Sequence, residues 1–317
     1  MTNKPDVTII IPAYNEEETV GDVIHGVKQI MDKTEYEYKI IVVNDGSTDN
    51  TENIAKKSGA DKVVSHGVNK GLGIAFQTGV KTALEMNADI IVNIDADGQF
   101  NPNDIPKLIK PITERKADMV TCSRFLDKSL EPDMPWIKKF GNAMFTKLVS
   151  RLTKQKFMDT QCGFRAYSRE AALRMTLFGV HTYTQEVFLD LIAKGLKVVE
   201  IPCKVKGQRK GKSKVVNNVF SYGFKSLAII IRTIRDYKPF EFFGIFGISL
   251  LSIGFVTGSA ILIRWLFVRA IDPYRTVAGI SFLLFITGLL LFFIALIADM
   301  LDRERKLVEE ILYRLRR

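Results

Sequence analysis

Over the first two-thirds of the chain, apolar residues come in short unbroken β-branched runs rather than in alternation. They are VTIIIP (7–12), KIIVVND (39–45), DKVVSH (61–66), DIIVNID (89–95) and DMVTCS (118–123). Continuous runs of this length predict strands buried on both faces. Segments 16–32, 49–58, 70–87 and 103–115 lie between them and carry the spacing of helices. The β-α-β rhythm predicts an α/β chain with a doubly wound, mainly parallel sheet. Such sheets bind ligands beyond the carboxyl ends of their strands.

The last third has a different pattern. Residues 242–263 and 276–298, 22 and 23 residues long, contain no charge at all. As helices each would span roughly 33 Å, about the hydrocarbon thickness of a bilayer. They are too long and too uniformly apolar for core helices and predict a transmembrane hairpin that turns at RAIDPYR (269–275), where Pro273 ends a helix. Gly254 and Gly258 form a G-x-x-x-G, which permits close helix approach within the hairpin or in a homo-oligomer. Segment 215–235 mixes apolar residues with Lys225, Arg232 and Arg235. It predicts amphipathic helices on the membrane surface or packed on the soluble part. The expected organisation is a catalytic domain over 1–214, juxtamembrane helices over 215–238, the two-helix hairpin over 239–299 and a basic tail over 300–317.

Charge sharpens this division. The net charge is +10, yet residues 1–200 hold 26 Lys and Arg against 27 Asp and Glu, while residues 201–317 hold 19 against 8. A nearly neutral N-terminal part is a poor nucleic-acid partner. Residues 204–238 carry ten Lys or Arg and one acid, and the tail is basic as well. Two spans with two basic flanks predict that the flanks, the catalytic domain and both termini are cytoplasmic. The opening MTNKPD is followed by no apolar leader, so no secretory signal is expected. Cys122, Cys162 and Cys203 are odd in number and widely spaced. They predict free thiols in a reducing compartment, with neither a disulfide scaffold nor a structural zinc.

The polar motifs fall where the sheet would bind ligands. Pro12-Ala13-Tyr14-Asn15-Glu16 follows the first strand, and Asn44-Asp45-Gly46-Ser47-Thr48-Asp49 the second. Asp95-Ala96-Asp97-Gly98-Gln99 follows the fourth. Asp49 or Ser47 would serve folding alone as a helix cap. The turn Asn69-Lys70-Gly71-Leu72-Gly73 lacks the third glycine of a dinucleotide fingerprint, and no P-loop occurs. Two carboxylates at i and i+2 on a buried strand end suit one hard cation that keeps positions open for phosphate oxygens.

Taken together, IIPAYNEEETV, VVNDGSTDNT, NKGLGIAFQTG and NIDADGQF resemble the nucleotide-binding half of the family-2 glycosyltransferases, which have the GT-A fold. DTQCGFRAYSRE (159–170) is similar to the matching stretch of dolichyl-phosphate mannose synthases and related polyprenyl-phosphate glycosyltransferases. The resemblance covers about residues 5–214. It implies that Pro12, Ala13, Tyr14 and Glu16 wrap the nucleotide base and that Asp45 contacts base or ribose. It implies that Asp95 and Ala96 line the donor site, and that Asp97 and Gln99 hold Mg²⁺ or Mn²⁺. It further implies that Arg124 faces phosphate and that a basic loop, here Gln208 to Lys214, closes over the site.

An acceptor phosphate monoester is already an anionic nucleophile at neutral pH, so it needs cations rather than a general base. Arg124, Arg165, Arg209, Lys212 and Lys214 are the candidate cations, with Lys138 and Lys139 near in sequence. Arg165 would otherwise be a structural ion pair, and the loop cations a membrane-facing charge run. Asp159 or Glu186 would act as base if the acceptor were a lipid hydroxyl, and Asp159 would otherwise be a turn residue. The Q-x-x-R-W of processive synthases is missing, so one sugar per event is expected. The reading is an inverting, membrane-anchored transferase that moves one sugar from GDP-mannose or a UDP-sugar to dolichyl or polyprenyl phosphate. The alternatives are transfer to a lipid hydroxyl and a non-catalytic nucleotide-sugar-binding membrane protein.

Overall fold

The structure is a computed structural model that describes residues 4–132, 134–177, 183–206, 231–232 and 234–317. The chain divides into two compact units, Met1–Tyr222 with Arg316–Arg317, and Gly223–Leu315.

The first unit is built on a seven-stranded sheet of order β3-β2-β1-β4-β6-β5-β7. Its strands are β1 (Val7–Ala13), β2 (Tyr38–Asn44), β3 (Lys62–Ser65), β4 (Ile90–Asn93), β5 (Met119–Ser123), β6 (Arg165–Ser168) and β7 (Val198–Pro202). All neighbours run parallel except β6, which is antiparallel to both β4 and β5. The helices are α1 (Val20–Met31), α2 (Thr51–Lys57), α3 (Leu72–Glu85), α4 (Ile105–Thr113), α5 (Trp136–Thr153), α6 (Arg169–Arg174) and α7 (Thr184–Ala193).

The unbroken apolar runs are explained by helices on both faces. Ile9, Ile11, Ile40 and Val42 join one core with Val20, Ile24 and Val27 of α1 and with Leu108 and Ile109 of α4. The intervening residues face the other way. Ile10 lies against Gly79 of α3, where an added Cβ would come within 3.2 Å of it. On that same helix Phe76 meets Tyr167 of β6 at 5.7 Å between ring centroids. Strands β6 and β7 and helices α5 and α6 are additional to the elements predicted.

The cysteine reading is corrected. Cys122 and Cys203 form a disulfide with Cα atoms 5.4 Å apart, and only Cys162 is a free, buried thiol. The pair is separated by 81 positions in sequence. It is brought together because β5 and β7 are parallel neighbours, with Ser123 aligned to Pro202.

The second unit contains α8 (Pro239–Val268) and α9 (Arg275–Arg316), both long and apolar enough to cross a membrane. α9 runs on through residues 300–316, so the basic tail continues the second apolar helix rather than following it. The close approach of the two helices does not use Gly254 and Gly258 as a pair. Gly247, Gly254 and Gly288 are the positions where a Cβ would collide with backbone, at 2.8, 2.4 and 2.3 Å. At Gly258 the nearest atom is Ser281 Cβ at 3.9 Å. The contact therefore repeats every seven residues, with Gly247 opposite Gly288 and Gly254 opposite Ser281, as expected where two helices pack at a shallow angle.

Candidate active site

Two loops at the ends of β1 and β2 are laced together. Asn15, in a left-handed conformation, donates its N–H to Ser47 Oγ at 2.9 Å and accepts from Thr48 N at 2.8 Å. Glu16 N donates to Thr51 Oγ1 and Glu17 N to Asp49 Oδ2. Asp49 also accepts from Thr51 N at 3.0 Å, an Asx-turn just ahead of α2; the N-cap itself is Asn50, whose side chain makes no cap bond. Pro12 and Ala13 are buried at the strand end, while Tyr14 and Glu16 are half-buried.

Asp45 is almost wholly buried. Its carboxylate accepts from Lys70 N at 2.9 Å, Gly71 N at 2.8 Å and His66 Nδ1 at 2.7 Å. His66 Nε2 reaches Thr78 Oγ1 at 3.0 Å. The acid that ends the second strand thus anchors the Asn69–Gly71 turn and the start of α3. Gly71 itself has φ +95°, a conformation that glycine adopts without strain.

The third loop carries Asp95, Ala96, Asp97 and Gln99. Ala96 is buried, and the three polar residues are half-buried. Asp97 Oδ1 accepts from Gln99 N at 3.1 Å, which folds the loop back on itself. Burial first, then the Asp97 charge, push the Asp95 carboxyl up to about 7, against the pull of Arg165 and Arg124. Burial also raises Asp97. Gly163 leaves room for Asp95, since a Cβ there would sit 3.0 Å from its Oδ2. Asn93 of β4 holds that turn by donating to Gly163 O at 2.8 Å and to Tyr183 Oη at 3.0 Å.

Opposite this loop lies a buried ionic relay. Arg124 follows β5 and grips Asp159 through Nε at 2.6 Å, Nη2 at 3.0 Å and its own N–H at 3.1 Å. Asp159 is fully buried, and Arg124 keeps about a fifth of its side chain exposed. Burial works against the guanidinium charge, but the Asp159 pair outweighs it and raises the Arg124 pKa. Asp159 is held from behind by Glu200 of β7, whose two oxygens accept Met158 N and Asp159 N, each at 2.8 Å. Burial and the nearby Asp159 charge raise the Glu200 carboxyl in spite of those bonds.

Arg165 is wholly buried rather than open at the site. Its guanidinium donates to Thr184 O at 2.8 Å and Thr160 O at 3.0 Å and lies over the Phe188 ring at 4.8 Å. It ties the 159–163 loop to the first turn of α7, where Glu186 also stands. Arg209, Lys212 and Lys214 lie outside the described residues. What leads into them is described. Phe100 bridges Val205, and Lys206 N donates to Gln99 O at 3.0 Å, so residues 205–206 lie against the acidic loop. Lys139 pairs with Glu131 instead of joining the cluster. Sequence reasoning missed Glu200, His66 and Gly163. An acid inside the apolar run VVEIP was the available signal for Glu200.

Among the described residues no group of three or more His, Cys, Asp or Glu stands ready to hold a metal. A cation at the third loop would therefore draw on two carboxylates, the Gln99 side chain and oxygens from a ligand.

Comparison with known proteins identifies the family and the fold. The profile described as Glycosyl transferase family 2 matches residues 8–175. Glycosyltransferase AglJ of Haloferax volcanii is 29% identical over 97% of this chain and 99% of its own. A UDP-N-acetylglucosamine–dolichyl-phosphate N-acetylglucosaminyltransferase of Methanococcus voltae is 37% identical over 52% of this chain and 70% of its own. Among solved structures, glucosyl-3-phosphoglycerate synthase of Mycobacterium tuberculosis with Mn²⁺ and UDP superposes with a TM-score of 0.56. It is 22% identical, covers 73% of this chain and 79% of its own, and shows the shared fold.

Proposed function

Since the chain belongs to glycosyl transferase family 2, we propose that it moves a single sugar from a nucleotide-diphosphate donor to dolichyl or polyprenyl phosphate, with inversion at the anomeric carbon. The observation that carries this reading is the juxtaposition of an acidic loop and a buried cationic relay beyond the carboxyl ends of β4 and β5. Asp95 and Asp97 stand on one side, and Arg124, held by Asp159 and Glu200, stands on the other. The full-length likeness to a named glycosyltransferase and the partial likeness to a dolichyl-phosphate transferase support it.

On the donor side, Pro12, Ala13, Tyr14 and Glu16 receive the base, and Asp45 shapes the pocket through the turn it anchors. Asp95 and Ala96 face the ribose and sugar. Asp97 and Gln99 suit Mg²⁺ or Mn²⁺, because two mutually repelling carboxylates are relieved by a hard cation and few protein ligands leave room for phosphate oxygens. When bound, such an ion offsets the charge of the leaving diphosphate.

On the acceptor side, Arg124 presents a pre-oriented cation to the attacking phosphate. Asp159 spends its carboxylate on Arg124 and Gln161 N, so it acts as a brace rather than as a base. A phosphate oxygen needs no base in any case. Arg165 acts through its field on Asp95. Arg209, Lys212 and Lys214 are further candidates for the acceptor phosphate by sequence alone. The apolar helices α8 and α9 anchor the enzyme in the membrane and keep it beside its lipid. The basic flanks argue for a catalytic unit on the cytoplasmic side. With Cys122 and Cys203 bridged, thiol content no longer contributes to that argument.

Incubation of the full chain in detergent with a panel of nucleotide sugars and a polyprenyl phosphate, with and without divalent metal, tests the reading. A metal-dependent glycosyl-phosphoryl lipid is the expected product. Transfer to a lipid hydroxyl instead, or donor binding without transfer, refutes it.

A further inference from the structure

The close packing of α8 against α9 ends before their turn. At Gly254 an added Cβ would meet Phe285 N at 2.4 Å, whereas at Gly258, one helical turn further on, the nearest atom is Ser281 Cβ at 3.9 Å. From there the helices part, and a cleft of about 410 Å³ opens between them. Gly258, Leu262 and Trp265 line it from α8, Ala278 and Phe282 from α9, and Ile271 from the turn. A cleft of this size with apolar walls suits a hydrocarbon chain.

Cations border the cleft. Residues 264–275 hold three arginines against one acid, Asp272. Asp272 faces Arg275 at 3.8 Å. Among the described residues Arg264 and Arg269 have no acidic partner. The Arg264 guanidinium lies instead over the Tyr274 ring at 4.7 Å, and that of Arg269 over the Trp265 ring at 5.2 Å. Arg264 Nε is buried and meets no acceptor. Stacking covers the flat face of a guanidinium and leaves its in-plane N–H groups free to grip an oxyanion. Arg269 also closes α8 in a left-handed conformation, φ +54°, which glycine adopts without strain. An arginine there gives up backbone ease and gains a charged side chain.

Depth identifies the anion. Residues 242–263 carry no charge, so Arg264 emerges where a span of bilayer thickness ends and headgroup phosphates lie. Trp265 and Tyr274 stand at the same level, where amphipathic rings favour the membrane interface.

We propose that this cleft binds one anionic phospholipid, with its phosphate held between Arg264 and Arg269 and one of its chains lying between α8 and α9. The site rests on the reading that both helices span the membrane. The turn lies a full span away from the residues that flank the hairpin, so this lipid is a bilayer phospholipid and not the acceptor of the proposed reaction. It fills the part of the hairpin that glycine packing leaves open.

Native mass spectrometry of the full-length protein, released from detergent after incubation with equal amounts of phosphatidylglycerol and phosphatidylcholine of the same chains, tests the site. One phosphatidylglycerol per chain should be retained, at least about tenfold in preference to phosphatidylcholine, whose ammonium competes for the phosphate. Arg264→Gln with Arg269→Gln should cut that retention at least about tenfold, the worth of one charge-assisted contact. Gly258→Leu, which fills the cleft and leaves every charge in place, should do the same. Arg264→Lys with Arg269→Lys should regain part of it, since the charge returns without the fork. A lysine pair as bare as the glutamine pair, or an equal loss with Arg275→Gln, refutes the site. The chain is also returned to vesicles and washed at alkaline pH. If it stays in the membrane while retention ignores Arg264, Arg269 and Gly258, the site is refuted and the anchoring stands. If it is washed out, the anchoring is wrong and the site with it.

Discussion

Around β1 to β3, each strand-end acid is answered by main-chain donors of its own neighbourhood. Asp45 is met by Lys70 N, Gly71 N and His66, and Asp49 by Thr51 N and Glu17 N. Around β4 to β6 charges are set against each other instead. Asp95 and Asp97 repel, and Arg165 is buried among carbonyls and a ring, from where its charge pulls on Asp95. The first region is built to hold a shape. The second stores unbalanced charge, which a ligand of the opposite sign can discharge. Residue type does not distinguish the two regions, since both are rich in aspartate at strand ends. Partner type does.

The sharpest way to break this contrast is to remove one acid from each region. Asp97→Ala is expected to reduce transfer at least about 1,000-fold, because several kcal/mol of charge stabilisation is lost. Its melting temperature should stay close to that of the parent, since burial already disfavours the Asp97 charge and its removal relieves that cost. Activity near the parent level at low metal concentration would overturn the contrast.

Arg124→Ala should follow, with a loss in transfer efficiency of about 10- to 150-fold from one charge-assisted contact. Unlike Asp97→Ala, it should also lower stability, by about 3–5 kcal/mol, because Asp159 is left buried and unpaired. Arg124→Lys should recover only part of both, since a point charge replaces a fork. Urea titrations beside lipid-transfer assays separate the two effects.

Asp45→Ala should behave in the opposite sense to Asp97→Ala. Loss of three buried acceptor contacts is expected to cost about 3 kcal/mol, or roughly 6–12 °C in melting temperature. Activity measured well below that melting point should fall far less than in Asp97→Ala. A stable but inactive variant would move Asp45 from scaffold to ligand contact.

The smallest effect concerns pH. In the folded chain the Asp95 carboxyl titrates at about 7 against an ordinary 3.8, so between those values the folded state holds the extra proton. Stability of the metal-free protein should therefore fall as pH rises through that window and level off above it. Acidifying from about pH 8 to about pH 6 should add about 1 kcal/mol. Asp97 and Glu200 are shifted in the same direction. Saturating Mn²⁺ should flatten or reverse it, because metal and proton compete for the same oxygens. A metal-free melting temperature independent of pH across this range would show that the acidic loop carries no excess charge.

The parallel core was legible because burial on both faces writes itself as an unbroken apolar run. β6 and β7 were not, because their segments contain Arg165 and Glu200, whose burial depends on partners far along the chain. The acids at Asp45, Asp95 and Asp97 could be picked out as strand-end residues, but not which of them the fold itself would satisfy. That depends on Lys70, Gly71 and His66 arriving from the third crossover. The bridge between Cys122 and Cys203 was hidden for a related reason. It depends on which strands are neighbours, and strand order is not carried by spacing. In the apolar hairpin the helices were evident, but the contact follows Gly247, Gly254 and Gly288 rather than the G-x-x-x-G that first draws notice.

The Cys122–Cys203 bridge also changes the covalent topology of the chain. It closes a ring across 81 positions, and Arg124, Asp159, Arg165 and Glu200 all lie inside that ring. A ring of that size removes about 4–5 kcal/mol of freedom from the unfolded chain. A single proteolytic cut between residues 123 and 202 would not release a fragment. The two pieces would travel as one band until a reductant parted them.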